Sequence, residues 1–139
     1  DILSIVLLAL QRPNVVTTRT ARIKRTFTMA AGQNINDLDL KDLPKSETLF
    51  ESYKTRLSLV ACDMVFATGT GTGLVSTTLL NTDKTAGVSP INNEPLIGIE
   101  RGTSWFGRLP IQRDDIIRWS INNAVAADTI DCVLVFEIE

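Results

Sequence analysis

The chain has 139 residues and a formal charge of −2, a length that suits one domain able to bury about two-thirds of its unfolded surface without staples. It contains no histidine, which removes the usual general base, the Ser-His triads and the commonest metal ligand together, so enzymatic readings start low. The charge is unevenly spread. Residues 1–25 hold five basic side chains (Arg12, Arg19, Arg22, Lys24, Arg25) against Asp1, a net +4, and the remaining 114 residues hold nine basic against fifteen acidic, a net −6. A cationic amino-terminal region on an acidic body suits a polyanionic partner, and equally a solvated basic strand face.

The opening run ILSIVLLAL spans nine residues, well short of the roughly 20 needed to cross a bilayer, and no small-residue cleavage site comes after it. A core strand, a short helix on a partner subunit and an interfacial segment all remain open. Pro13 and Asn14 separate the run from the strand-like segment beyond them, which favours an arm over residues 1–14 that docks on a neighbour. Residues 15–139 then make up the domain.

From Val15 to Met29, Val15, Ala21, Ile23, Phe27 and Met29 share one phase, and Thr18, Thr20, Arg22, Lys24, Thr26 and Thr28 share the other. This alternation predicts a half-buried strand, with Arg19 and Arg25 interrupting its apolar phase. AGQNINDLDLKDLPKS reads as loop, its Asn, Asp, Gly and Pro supplying turn chemistry. SETLFESYKTRLSLVACDMVF then changes character midway. Leu49, Phe50, Tyr53 and Leu57 are helically spaced behind a capping Ser46, whereas the second half is a strand buried on both faces or carrying a bulge near Ala61.

TGTGTG, from Thr68 to Gly73, invites a phosphate-binding reading. Its G-x-G-x-G spacing, the lack of a succeeding Lys-Ser or Lys-Thr and the strand-like LVSTTLLNT beyond it favour a flexible loop between strands. Further strands are expected at GLVSTTLL, EPLIGIE, TSWFGRLPI, DIIRWSI and TIDCVLVFEIE, with NTDKTAGVSPINN and NNAVAAD as turn-rich connections. In the last strand Ile130, Cys132, Leu134, Phe136 and Ile138 form one face, while Val133 and Val135 keep the other partly apolar. About eight short strands and one helical turn predict an all-β sandwich or barrel.

Few constellations could carry chemistry. Cys62 and Cys132 lie in apolar runs and read as reduced core thiols rather than a disulfide or reactive pair; without an N-x-[ST] acceptor, a secreted location is not suggested. Asp114 and Asp115 read as turn initiation before IIRWSI, with a subunit-bridging ion as the alternative. Trp119 is in phase with Ile117 and Ile121 and reads as core; Trp105 and Phe106, near Gly102 and Gly107, suit a rim or subunit contact better than a stacking platform. The basic set needs no exact geometry to neutralise phosphate.

LKDLPKSETLFESYKTRLSLVACDMVF resembles a segment of the jelly-roll coat proteins of small icosahedral viruses, in which a loop with a short helix, often carrying an LF..Y pattern, leads into a central strand. The matching residues are Leu49, Phe50 and Tyr53, with the strand from Arg56 to Phe66 after them. TTRTARIKRTFTM resembles the first strand of such a roll at the end of a cationic inward arm, and DDIIRWSINNAVAADTIDCVLVFEIE resembles its closing pair. The length is similar to the smallest such shells, those of plant satellite viruses or small single-stranded DNA viruses.

The resemblance implies an eight-stranded jelly-roll sandwich with a short helix before a central strand, and no enzymatic role. It implies a virion protein assembled inside the host cell from copies of itself around RNA or single-stranded DNA. Arg12, Arg19, Arg22, Lys24 and Arg25 would then be the nucleic-acid-binding residues, and no cofactor or metal is implied. The sequence departs from the pattern by opening on an apolar run where such proteins carry a long basic tail, so either a tail precedes Asp1 or genome contact rests on these five residues. It has no insertion large enough for a projecting domain. The alternative is a carbohydrate- or receptor-binding β-sandwich, such as a phage spike or decoration module, using Trp105 and Phe106.

Overall fold

The computed structural model describes residues 19–44, 56–69, 73–96 and 102–138. Eight strands run in chain order: β1 (Arg19–Thr28), β2 (Gly32–Asp39), β3 (Leu57–Thr68), β4 (Gly73–Leu80), β5 (Gly87–Leu96), β6 (Gly102–Ile111), β7 (Ile116–Ala124) and β8 (Thr129–Ile138). They form two four-stranded antiparallel sheets, ordered β1-β8-β3-β6 and β2-β7-β4-β5. The β4–β5 connection stays within a sheet and every other connection passes between the two: an all-β sandwich, as the strand pattern predicts, in the eight-stranded jelly-roll order that the resemblance implies. The helical turn expected around Leu49, Phe50 and Tyr53 lies outside the described residues; among the described residues a single 3-10 turn, Leu40–Asp42, precedes β3.

Period-two alternation sorts the side chains. In β8, Ile130, Cys132, Leu134 and Phe136 face the core, opposite Leu59, Cys62, Met64 and Phe66 of β3 in the ladder, and all eight are buried. Ile117, Trp119 and Ile121 of β7 and Val75 of β4 close the core from the other sheet. Phe27 of β1 meets Trp119 across the sandwich with ring centroids 5.5 Å apart and planes tilted by 53°, a favourable aromatic geometry. Beside the Trp119 ring, its register partner Thr77 is fully buried, and neither Trp119 Nε1 nor Thr77 Oγ1 has a hydrogen-bond partner.

Of the two readings open for this strand, burial on both faces or a bulge near Ala61, the bulge is present: β3 shifts register between Leu59 and Ala61 against both β6 and β8. It lets Leu59 and Cys62, three residues apart, both point inward, which a regular strand forbids.

Two expectations are corrected. The stretch read as loop contains the eight-residue β2, which pairs with β7 at one edge of the second sheet with an irregularity between Gly32 and Asn34. Asn and Asp are poor strand formers, so β7 supplies what propensity does not: Asn34 and Asn36, half-buried in the phase of Leu38, pair with Ile121 and Trp119, while Ile35 and Asp37 turn outward. The strand expected at EPLIGIE instead begins at Gly87 and takes in VSPINN. β5 is also an edge strand, so Pro90 and Pro95 are tolerated, and it is irregular, with register shifts against β4 and Asn93 at φ 47°. Residues 97–100 of that expected strand lie outside the described residues.

Candidate functional site

Alternation divides the cations of β1 by phase. Arg22 and Lys24 are exposed on the outer face of the β1-β8-β3-β6 sheet, whereas Arg19 and Arg25 share the phase of the buried Ile23. Arg25 is half-buried, and its Nη1 donates a hydrogen bond to Lys24 O at 3.0 Å. The edge strand therefore brings four of the five predicted cations together along one margin but in two phases; Arg12 lies outside the described residues.

The outer face also collects acids. Asp131 and Glu137 project from β8 in the phase opposite to the core residues, and Asp63 does so from β3. Lys24 Nζ lies 3.7 Å from Asp131 Oδ2, and Thr26 Oγ1 donates to Asp131 Oδ1 at 2.6 Å. Arg108 Nη2 reaches over from β6 to Glu137 Oε1 at 2.7 Å. Asp131 and Glu137 are visible in the alternation of the last strand; their pairing with the cations requires the β1–β8, β3–β8 and β3–β6 registers.

Between the ion pairs the face is apolar. Val133 is buried even though it points outward, Val135 is half-buried beside Ala61, and Val65 is exposed. Beside Ala61 stands Phe106, which at 78% exposure is the most exposed large hydrophobic residue among those described. Its neighbour Trp105 packs against the core and over Gly107, where an added Cβ would come within 2.4 Å of the indole. Thus the adjacent aromatics separate as consecutive strand residues must: Trp105 inward, Phe106 outward. Trp119 is buried, as its phase predicts.

The remaining candidates resolve into structure. Asp115 Oδ2 accepts from Gln112 N at 2.8 Å and Asp115 N donates to Gln112 O at 3.1 Å, closing the turn that initiates β7. Among the described residues no three His, Cys, Asp or Glu side chains gather as metal ligands. Cys62 and Cys132 are free and buried on adjacent strands, and burial pushes the Cys62 thiol up to about 12 and the Cys132 thiol higher still. Both are inert core groups. The glycine-rich stretch falls between β3 and β4, as expected of a connection, with residues 70–72 outside the described residues. No described helix is long and apolar enough to cross a membrane.

The opposite sheet carries an ionic cluster that the sequence does not reveal. Asp37 of β2 accepts from Arg118 of β7 at 2.8 and 3.0 Å and from Lys84 Nζ at 2.9 Å. The Arg118 guanidinium, with Lys84 beside it, holds the Asp37 carboxyl down at about 2. The segment carrying Asp37 reads as loop, so nothing in the sequence indicates this partnership.

No family model and no curated protein matches the sequence. Among solved structures, the chain is similar to the Drosophila NLP core, described for pentamer formation and histone binding, at 10% identity over 87% of this chain and 98% of that one, with a TM-score of 0.47. It is similar to Desmodium yellow mottle tymovirus at 9% identity over 87% of this chain and 86% of that one, with a TM-score of 0.47. It also resembles the infectious bursal disease virus VP2 subviral particle at 14% identity, with a TM-score of 0.42, spanning 88% of this chain and 33% of that one.

Proposed function

We propose that this chain is a viral coat protein whose copies close into an icosahedral shell around RNA or single-stranded DNA. The supporting observation is the strand order, β1-β8-β3-β6 against β2-β7-β4-β5, combined with a first strand that concentrates cations on an otherwise acidic body. Jelly rolls serve many functions, so the reading rests on that combination rather than on the fold.

In this reading Arg12, Arg19, Arg22, Lys24 and Arg25 neutralise genome phosphates and release counterions, without base readout. The chain acts as a structural component of the virion, assembled in the host cell, and performs no catalysis. Closure comes from repeated contacts between identical copies.

Negative-stain electron microscopy with size-exclusion chromatography of the purified protein tests this. Megadalton particles carrying nucleic acid are expected. A variant with all five cations changed to Ser should form particles with less nucleic acid; an unchanged content removes their assigned role. The rival reading, a carbohydrate- or receptor-binding module presenting the exposed Phe106, predicts a monomer or trimer instead.

A further inference from the structure

Ladder registers fix which residues share a level on the outer face of the β1-β8-β3-β6 sheet. Arg22 pairs with Val135, Val135 with Ala61, and Ala61 with Phe106. One row therefore crosses the whole sheet: a cation at the β1 edge, two apolar side chains in the middle and an aromatic ring at the β6 edge. At about 4.8 Å per strand, its ends lie roughly 14 Å apart. Both end residues are exposed, and the Arg22 side chain makes no ion pair among the described residues.

We propose that this face is a contact between two copies of the chain, related by a two-fold axis parallel to the strands. That operation reverses the strand order, so β1 of one copy lies over β6 of the other. Arg22 of one copy then stands over Phe106 of the second, Val135 over Ala61, and each contact occurs twice, as an isologous interface requires. A guanidinium over a phenyl ring is attractive, increasingly so once water is excluded, and the apolar pairs between supply that exclusion. Face-to-face sheets align within about 30°, which keeps a central row in register and lets the corners diverge.

Charge selects a second copy over nucleic acid as the occupant. The face carries Arg22, Lys24 and Arg108 against Asp63, Asp131 and Glu137, so it is neutral, and two of its cations are already held by its own acids. A polyanion gains little from a neutral surface, whereas a copy of the same surface meets no net repulsion. The inference rests on the shell reading to the extent that copies associate, and it narrows the basic set by two residues: within the contact, Arg22 serves the neighbouring copy, and Lys24 is met by Asp131. Arg12, Arg19 and Arg25 remain for the genome.

The test is sedimentation velocity across a dilution series for the wild type, Phe106→Ser, Arg22→Ser, the double variant and Val88→Ser, an exposed position on the other sheet. Circular dichroism confirms that each is folded. Phe106→Ser and Arg22→Ser should each weaken self-association about tenfold or more, the double variant little further, and Val88→Ser not at all. Wild-type association with an unchanged Phe106→Ser variant overturns this contact alone and leaves the shell reading standing. A wild type that stays monomeric throughout overturns both. If Phe106→Ser or Arg22→Ser loses affinity for a labelled single-stranded oligonucleotide while associating normally, the face is a nucleic-acid surface and the inference falls.

Discussion

Asp37 on β2 lies directly opposite Arg118 on β7, and the two close a bidentate ion pair at 2.8 and 3.0 Å that ties an edge strand to the interior of its sheet. Lys84, from the turn after β4, adds a second cation at 2.9 Å. The carboxyl of Asp37 is lowered from 3.8 to about 2, chiefly by the hydrogen bonds from Arg118. A carboxylate depressed in the folded state contributes stability that is fully present above its unfolded value and is lost as pH falls through the folded value. We expect urea-unfolding stability to drop as pH falls from 3.8 towards about 2, and Asp37→Asn to flatten that drop while costing about 1 kcal/mol at pH 7, an amount already reduced for solvent screening. Equal acid sensitivity in the two proteins would show that the pair contributes nothing.

Two glycines with nearly the same φ separate strain from crowding. Gly32 has φ +91° with nothing within 4 Å of an added Cβ, whereas Gly69 has φ +93° and its added Cβ would fall 1.7 Å from Asp128 Oδ1. Asp128 is itself buried, and its segment is held to the β1–β2 turn by Met29 N donating to Asp128 O at 2.7 Å and Ala127 N to Met29 O at 2.9 Å. Gly32→Ala should cost about 1 kcal/mol, the left-handed penalty alone. Gly69→Ala should cost about 2 kcal/mol more, because Asp128 must leave its place or the turn must open. Chemical denaturation of the two variants measures the difference, and equal costs would mean that Asp128 moves aside freely.

The sequence is most informative where one face of a strand is buried. Ile23, Phe27 and Met29, or Ile130 to Ile138, announce their phase because a slip of one residue would expose the whole set. Near Ala61 the change of phase is legible for the same reason, but a bulge and burial on both faces explain it equally from sequence, and only the register against β6 and β8 decides for the bulge. β2 and the first half of β5 are not legible. Each is an edge strand of Asn, Asp, Gly or Pro held by a neighbour distant in sequence, and local propensity carries no trace of that neighbour. The candidate site divides likewise. Phe106 at a rim or contact is expected from the adjacent aromatics and nearby glycines, but the pairing of Lys24 with Asp131 and Arg108 with Glu137 depends on registers that no single segment encodes.

The basic strand gives the last prediction, because alternation assigns its cations different work. Lys24 stands 3.7 Å from Asp131 Oδ2 and spends its charge within the protein, and Arg22, on the same outer face, is assigned to the neighbouring copy. Arg19 and Arg25 occupy the other phase along the open margin of the sheet. For single strands, each phosphate neutralised contributes about 0.7 to the slope of log affinity against log salt. Arg19→Ser and Arg25→Ser should therefore each reduce that slope by about 0.7, while Arg22→Ser and Lys24→Ser change it little. Fluorescence anisotropy of a labelled single-stranded oligonucleotide across a salt series makes the comparison. Four equal reductions would mean that the phase of the strand does not matter, and that a flexible arm, rather than a folded edge, meets the polyanion.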